Sequence, residues 1–220
     1  ARADGVDRLV AVGTEALRRA RDGADFLARL VSEGLVDGAR LLSGEEEAEL
    51  AIEATRRSVG VHAAALAVID VGGGSTEIAW RERADAPIAA LSLPLGSVRL
   101  TEELLPRHPV PEADLALLRA RVRSATQPLA LALPNGLPSG GAVVAVAGTA
   151  TTLAALELAP SRWDESRVEG MELGSATLAA WIERLARLGV AERTRLAGLD
   201  PGRADVIVAT AQQADEAVFR

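Results

Sequence analysis

Short apolar runs ended by glycine alternate along this chain with stretches of helical spacing. Residues 8–13 (RLVAVG) read as a buried strand, and Thr14 is placed to cap a helix reaching Arg21. Phe26, Leu27, Leu30 and Val31 keep helical spacing across residues 25–33, and residues 39–42 form a second short strand. Ser43 and Gly44 break that strand. Residues 45–57 then read as a helix, with Glu45, Glu46 and Glu47 in the first turn, where the helix dipole favours negative charge. Strand, helix, strand, helix in this order predicts parallel pairing.

A second unit begins near Val61, so the expected division is residues 1–60 and 61–220. Residues 63–69 are a fully apolar strand ending in Asp70; Gly72, Gly73 and Gly74 make a turn, and residues 75–81 return as an alternating strand. Residues 88–93 give a third strand and residues 94–99 a loop. Pro111 suits the first turn of a helix over residues 112–131. A linker holding Pro134, Gly136, Pro138, Gly140 and Gly141 leads to the apolar strand 142–147, which runs into Gly148, Thr149 and a helix at 151–157. Ser175 caps a helix with Leu178, Trp181, Ile182, Leu185 and Leu188 on one face, and a last helix runs from Pro201 or Arg203 to the end.

Composition narrows the chemistry. At 49% hydrophobic and 25% charged residues, the 220-residue chain can bury a sizeable core, which argues against disorder. It has no cysteine, so disulfides, thiolate zinc sites and cysteine nucleophiles are excluded. Two histidines, His62 and His108, are too few for a multi-histidine metal centre and read as structural or surface residues. Every basic residue is arginine, and the net charge of −7 speaks against a nucleic-acid partner. No apolar run is long enough for a membrane span and no secretory leader is visible, so the expected location is cytoplasmic.

The strongest chemical signal is residues 67–77 (AVIDVGGGSTE). A carboxylate at the end of a buried strand is held rigidly, and glycines let backbone N–H groups approach an anion closely. Ser75 and Thr76 add hydroxyl donors, and Asp70 can anchor Mg²⁺ directly or through water. The same residues also read as a plain glycine-rich hairpin with Asp70 in the turn. The spacing is neither that of a Walker loop nor that of a dinucleotide fingerprint. A second joint, residues 147–152 (AGTATT), passes from strand to helix, where the N-terminal dipole attracts anions; alone it reads more readily as a cap and turn. Two such joints in one chain support each other, because an extended phosphate substrate needs two loops. Among Glu45, Glu46 and Glu47, one carboxylate can orient an attacking water, although first-turn glutamates usually only complement the dipole. Arg18 and Arg99 lie close to the loops in sequence and can pair phosphate oxygens.

Residues 70–77 (DVGGGSTE) resemble the second phosphate-binding loop of the exopolyphosphatase and guanosine pentaphosphate phosphohydrolase (Ppx/GppA) family. Residues 12–26 (VGTEALRRARDGADF), 43–50 (SGEEEAEL), 93–102 (LPLGSVRLTE), 147–156 (AGTATTLAAL) and 202–207 (GRADVI) are similar to further family motifs, in family order across nearly the whole chain. The resemblance implies an α/β fold of the actin-like ATPase superfamily, with ribonuclease-H-like domains of mixed sheets flanked by helices and an active site in the cleft between lobes. It implies Mg²⁺-dependent hydrolysis of the terminal phosphate of inorganic polyphosphate or guanosine pentaphosphate. By position, Glu47 matches the glutamate that activates water, with Glu46 as fallback, and Asp70 and Glu77 match the metal and water-positioning carboxylates. Gly72, Gly73, Gly74, Ser75 and Thr76 match the phosphate loop, Gly148, Thr149 and Thr152 the second loop, and Arg18, Arg99 and Arg203 are candidate phosphate contacts.

The sequence departs from the family pattern in several places. The family's first phosphate loop, an Asp-x-Gly-Ser-Asn-Ser-type hairpin, has no counterpart here, so residues 1–60 are expected to be the tail of the first lobe and residues 61–220 the second. Asp22 stands where an asparagine is usual and Thr210 where a glycine is expected. With no lysine, every side-chain cation on phosphate must be arginine. The alternatives are a non-catalytic polyphosphate or guanosine tetraphosphate sensor, a small-molecule kinase of the same superfamily, and an actin-like filament protein. Retention of Glu47 favours the hydrolase. A two-fold homodimer is the expected assembly.

Overall fold

A computed structural model of the chain describes residues 5–60, 62–133, 135–159 and 164–219. Val61, Pro134 and Trp163 lie outside the described residues. The chain divides into two compact units, Ala1–Ala51 and Ile52–Arg220, and the division falls inside a helix.

In the N-terminal unit, β1 (Val10–Gly13), α1 (Glu15–Arg19), α2 (Gly23–Ser32) and β2 (Gly38–Leu41) lead into α3 (Gly44–Ser58). β1 and β2 pair in parallel, with Val10 beside Gly38 and Gly13 beside Leu41, as the strand and helix order predicts. Thr14 occupies the cap position of α1 but makes no side-chain cap bond.

The C-terminal unit continues with β3 (Leu66–Val71), β4 (Thr76–Arg81), β5 (Ala89–Leu93), α4 (Ser97–Leu104) and α5 (Glu112–Ala132). After them come β6 (Ala142–Val146), α6 (Ala147–Leu158), α7 (Glu165–Val168), α8 (Ser175–Arg187), α9 (Val190–Arg193) and α10 (Ile207–Phe219). The sheet order is β5-β4-β3-β6. β3 pairs antiparallel with β4 and parallel with β6, so the sheet is mixed. β3 is covered on both faces, which is why its sequence is a continuous apolar run rather than an alternating one. Ala67, Ile69 and Val71 pack with Ile78 and Trp80 of β4, Leu115, Leu118 and Val122 of α5, and Ile207, Val208 and Ala211 of α10 in one core. α10 packs against α4, α5, α6, α8 and β3 and is buried along most of its length.

Four sequence expectations need correction. The stretch 94–99 is not all loop: α4 starts at Ser97, and Pro94 and Gly96 had masked its short buried face of Leu100 and Thr101. The helix expected at 151–157 starts at Ala147, so Gly148 and Thr149 belong to its first turn, and Gly174 rather than Ser175 is the N-cap of α8. The last helix is broken. Residues Pro201–Arg203 form a short 3₁₀ turn capped by Asp200, and α10 begins only at Ile207.

Candidate active site

Asp70 is the one residue of β3 that is only partly covered. Antiparallel pairing sets it opposite Glu77 of β4, so the two carboxylates leave the same face of the sheet from adjacent strands. Directly opposed positions hold their Cβ atoms about 5 Å apart, and like charges there repel. Ser92 of β5, the register partner of Glu77 on its other side, donates its hydroxyl to Glu77 Oε1 at 3.2 Å. Two carboxylates so placed suit Mg²⁺, which takes one or two carboxylates, keeps several waters and leaves positions for phosphate oxygens. Among the described residues no group of three or more His, Cys, Asp or Glu converges on a metal. The candidate protein ligands are this pair.

The turn between β3 and β4 is closed by Gly72 N–H donating to the Ser75 carbonyl at 2.9 Å. The carbonyls of Gly72 and Gly73 accept from Ser97 N–H at 3.1 Å and Val98 N–H at 3.2 Å, in the first turn of α4. In a trans peptide the N–H points opposite to the carbonyl of the same unit. The amides of Gly73 and Gly74 are therefore turned away from α4, and neither has a backbone partner among the described residues. Successive outward amides of this kind make an anion-binding concavity. The turn sits so close to α4 that a Cβ on Gly96 would lie 2.1 Å from the Gly73 carbonyl oxygen and 2.3 Å from Gly74 Cα, so only glycine fits there.

The second joint meets the first at one end of the strands. Parallel pairing sets Asp70 beside Val146, so β3 and β6 end together and α6 begins there. Thr149 Oγ1 donates to the Val71 carbonyl at 2.7 Å and fastens α6 to the end of β3. Val146 makes no side-chain cap, which leaves the first-turn N–H groups of α6 available to an anion. Ala147 holds φ at +62°, a left-handed conformation that costs a non-glycine residue about 1 kcal/mol. The guanidinium of Arg203 lies against Gly148, where a Cβ would come within 2.0 Å of Nη2.

Several predicted contacts are placed otherwise. The Thr76 hydroxyl, expected as a phosphate donor, is buried and donates to the Leu95 carbonyl at 2.9 Å. Those of Thr149 and Thr152 also go to backbone carbonyls, Thr152 Oγ1 to Gly148 at 2.6 Å. The donors these loops offer outward are backbone amides, with Ser75 only partly covered beside them. Arg99 is exposed and pairs with Glu103 along α4 at 2.7 Å. Of the three candidate arginines, Arg203 is the one at a glycine joint.

In the N-terminal unit Arg18 pairs with Glu47 at 2.5 Å and donates to the Leu42 carbonyl at 2.6 Å. Arg18 thus fixes the carboxylate of Glu47 at the start of α3. Glu46 is occupied elsewhere. Its carboxylate accepts from Ser43 N–H at 2.8 Å while Ser43 Oγ accepts from Glu46 N–H at 3.1 Å, a capping box that Arg40 completes. The Ser43 amide, and then Arg40, hold the Glu46 carboxyl below the ordinary carboxylate range. The Ser-x-x-Glu spacing was a legible signal for this role. Gly96, Arg18 as a partner of Glu47, and the bonds made by Thr76 carry no local signature.

The model of the Ppx/GppA phosphatase family matches residues 2–218. The chain belongs to this family. Relatives of this Ppx/GppA chain include Exopolyphosphatase 2 of Mycobacterium tuberculosis, 35% identical over 169 residues that cover 77% of this chain and 52% of that protein. Exopolyphosphatase 1 of Mycobacterium bovis is 34% identical over 212 residues, covering 96% of this chain and 60% of that protein. The chain thus spans little more than half the length of these relatives. The crystal structure of the Aquifex aeolicus Ppx/GppA family member superposes with a TM-score of 0.82 at 29% identity, covering 99% of this chain and 68% of that one. The α/β fold with a helix-flanked mixed sheet is that of the Ppx/GppA proteins within the actin-like ATPase superfamily. Among the described residues no helix is long and apolar enough to cross a membrane.

Proposed function

We propose that the protein hydrolyses the terminal phosphoanhydride bond of inorganic polyphosphate, as an exopolyphosphatase. The observation that carries this reading is the bond from Thr149 to Val71, which holds the second glycine joint beside the first at the end of β3, where the Asp70–Glu77 pair also lies. The names of the curated relatives point the same way. Amides of Gly73 and Gly74, the first turn of α6 and the Arg203 guanidinium hold phosphoryl oxygens and stabilise charge that builds up on them. Asp70 and Glu77 hold Mg²⁺, which when bound neutralises charge on the phosphates. Glu47, held by Arg18, takes a proton from the attacking water. Guanosine pentaphosphate presents the same terminal phosphoryl group and is the second substrate of this reading.

The test is phosphate release from long-chain polyphosphate and from guanosine pentaphosphate in the presence of Mg²⁺, with the chain and its Glu47→Gln variant. Release that falls about 100-fold or more in the variant supports both the activity and the base. Tight binding without release turns the reading into that of a sensor, and transfer of the phosphoryl group to an added alcohol, with no inorganic phosphate released, into that of a kinase.

A further inference from the structure

α10 is unusually polar for a helix surrounded by protein: Gln212, Gln213, Asp215 and Glu216 are all at least 95% buried. Gln213 does something specific. Its Nε2 donates to Thr76 Oγ1 at 3.1 Å, across 137 residues of chain, while its Oε1 is buried with no partner among the described residues. A buried amide with an orphaned oxygen is costly, and the bond made by its nitrogen is what offsets that cost.

The bond reaches the glycine turn in two steps. Thr76 is the first residue of β4, directly after the turn, and its hydroxyl has a single proton to give. With the Gln213 amide on its acceptor side, that proton is directed to the Leu95 carbonyl. Leu95 precedes Gly96, Ser97 and Val98, the ledge on which the carbonyls of Gly72 and Gly73 rest. Those carbonyls set which way the amides of Gly73 and Gly74 point.

We propose that Gln213 is a positioning residue for the outward amides of Gly73 and Gly74, acting through Thr76 and Leu95. The role as a phosphate loop rests on the proposed function; the mechanical link does not. The experiment therefore has two readouts. In the full chain labelled with ¹⁵N-glycine, Gln213→Met, which removes the amide at similar length, should shift the Gly73 and Gly74 amide resonances while the resonance of Gly34, in the N-terminal unit, stays in place. Binding of inorganic tripolyphosphate should weaken about fivefold, what one neutral hydrogen bond commands. Thr76→Val should do the same, and the double variant should be no worse than the weaker-binding single variant.

Unmoved Gly73 and Gly74 resonances in folded Gln213→Met, or penalties that simply add, would overturn the proposal. Should that variant not fold, Gln213→Asn, which is too short to reach Thr76, carries the same test with the same outcomes. If the unaltered chain binds no tripolyphosphate, the phosphate-loop reading fails and the glycine resonances decide the role of Gln213 on their own.

Discussion

Arg203 and Gly148 stand so close that a Cβ added to the glycine would lie 2.0 Å from one guanidinium nitrogen and 2.6 Å from the guanidinium carbon. The atoms in the way are the far end of a flexible side chain. Gly148→Ala should therefore displace Arg203 at a stability cost of no more than about 1 kcal/mol, yet lower the rate of phosphate release about tenfold or more. Gly96→Ala makes the contrast, because the clash there is with the Gly73 and Gly74 backbone. It should cost about 2 kcal/mol or more and abolish tripolyphosphate binding, both measurable by urea unfolding and calorimetry.

Arg18 serves Glu47, so the two should not behave as independent sites. Glu47→Gln should lose about 100-fold or more in phosphate release and Arg18→Met somewhat less, with the double variant no slower than Glu47→Gln alone. Glu46→Gln should release phosphate within about twofold of the unaltered chain, because Glu46 is committed to the capping box. A larger loss in Glu46→Gln than in Glu47→Gln would reverse the assignment.

Asp70 and Glu77 are acidic residues at directly opposed positions of adjacent strands. Glu77→Gln keeps an oxygen to accept from Ser92 and removes one of the charges. Without divalent metal it should melt at or above the temperature of the unaltered chain. Addition of millimolar Mg²⁺ should raise the melting temperature of the unaltered chain and leave the variant nearly still. Equal metal responses would show that the pair holds no ion.

His108 should make the fold sensitive to mild acid. Burial lowers its imidazole pKa first, and the Arg193 cation lowers it further, against a smaller pull from Asp205. Arg193 is itself fully buried, its guanidinium pulled down to about 10 by desolvation, while it donates to the carbonyls of Leu185 and Ala204. Because the unfolded chain takes up the His108 proton more readily than the folded one, the stability contribution is whole above about pH 6.5. It should be lost as pH falls from there through the lowered folded value. Urea midpoints taken from about pH 7.5 to 5 should drop more steeply for the unaltered chain than for His108→Asn.

Much of this protein is written locally. The apolar run into Asp70, the three glycines and the alternating return strand determine a strand, a tight turn and a hairpin, because backbone conformation and side-chain period are short-range properties. Glu45, Glu46 and Glu47 in the first turn of α3 were legible for the same reason. What residue order alone did not separate was which carboxylate closes the capping box and which pairs with Arg18. That depended on Arg40 reaching Glu46 and Arg18 reaching Glu47, contacts made across turns of chain.

Only the tertiary structure decided where the hydroxyl groups point. Thr76 and Thr149 look like phosphate donors in sequence, but packing gives each an internal carbonyl at hydrogen-bond distance, and a buried hydroxyl takes that partner, whereas Thr152 bonds back to the Gly148 carbonyl one turn earlier in its own helix. The donors left to an anion are backbone amides, whose direction is set by the ledge at Gly96, Ser97 and Val98 and, behind it, by Gln213. The sequence by itself determined the residues able to make an anion site. Pairing register and long-range hydrogen bonds decided which of their atoms face it, because those depend on partners up to 137 residues apart.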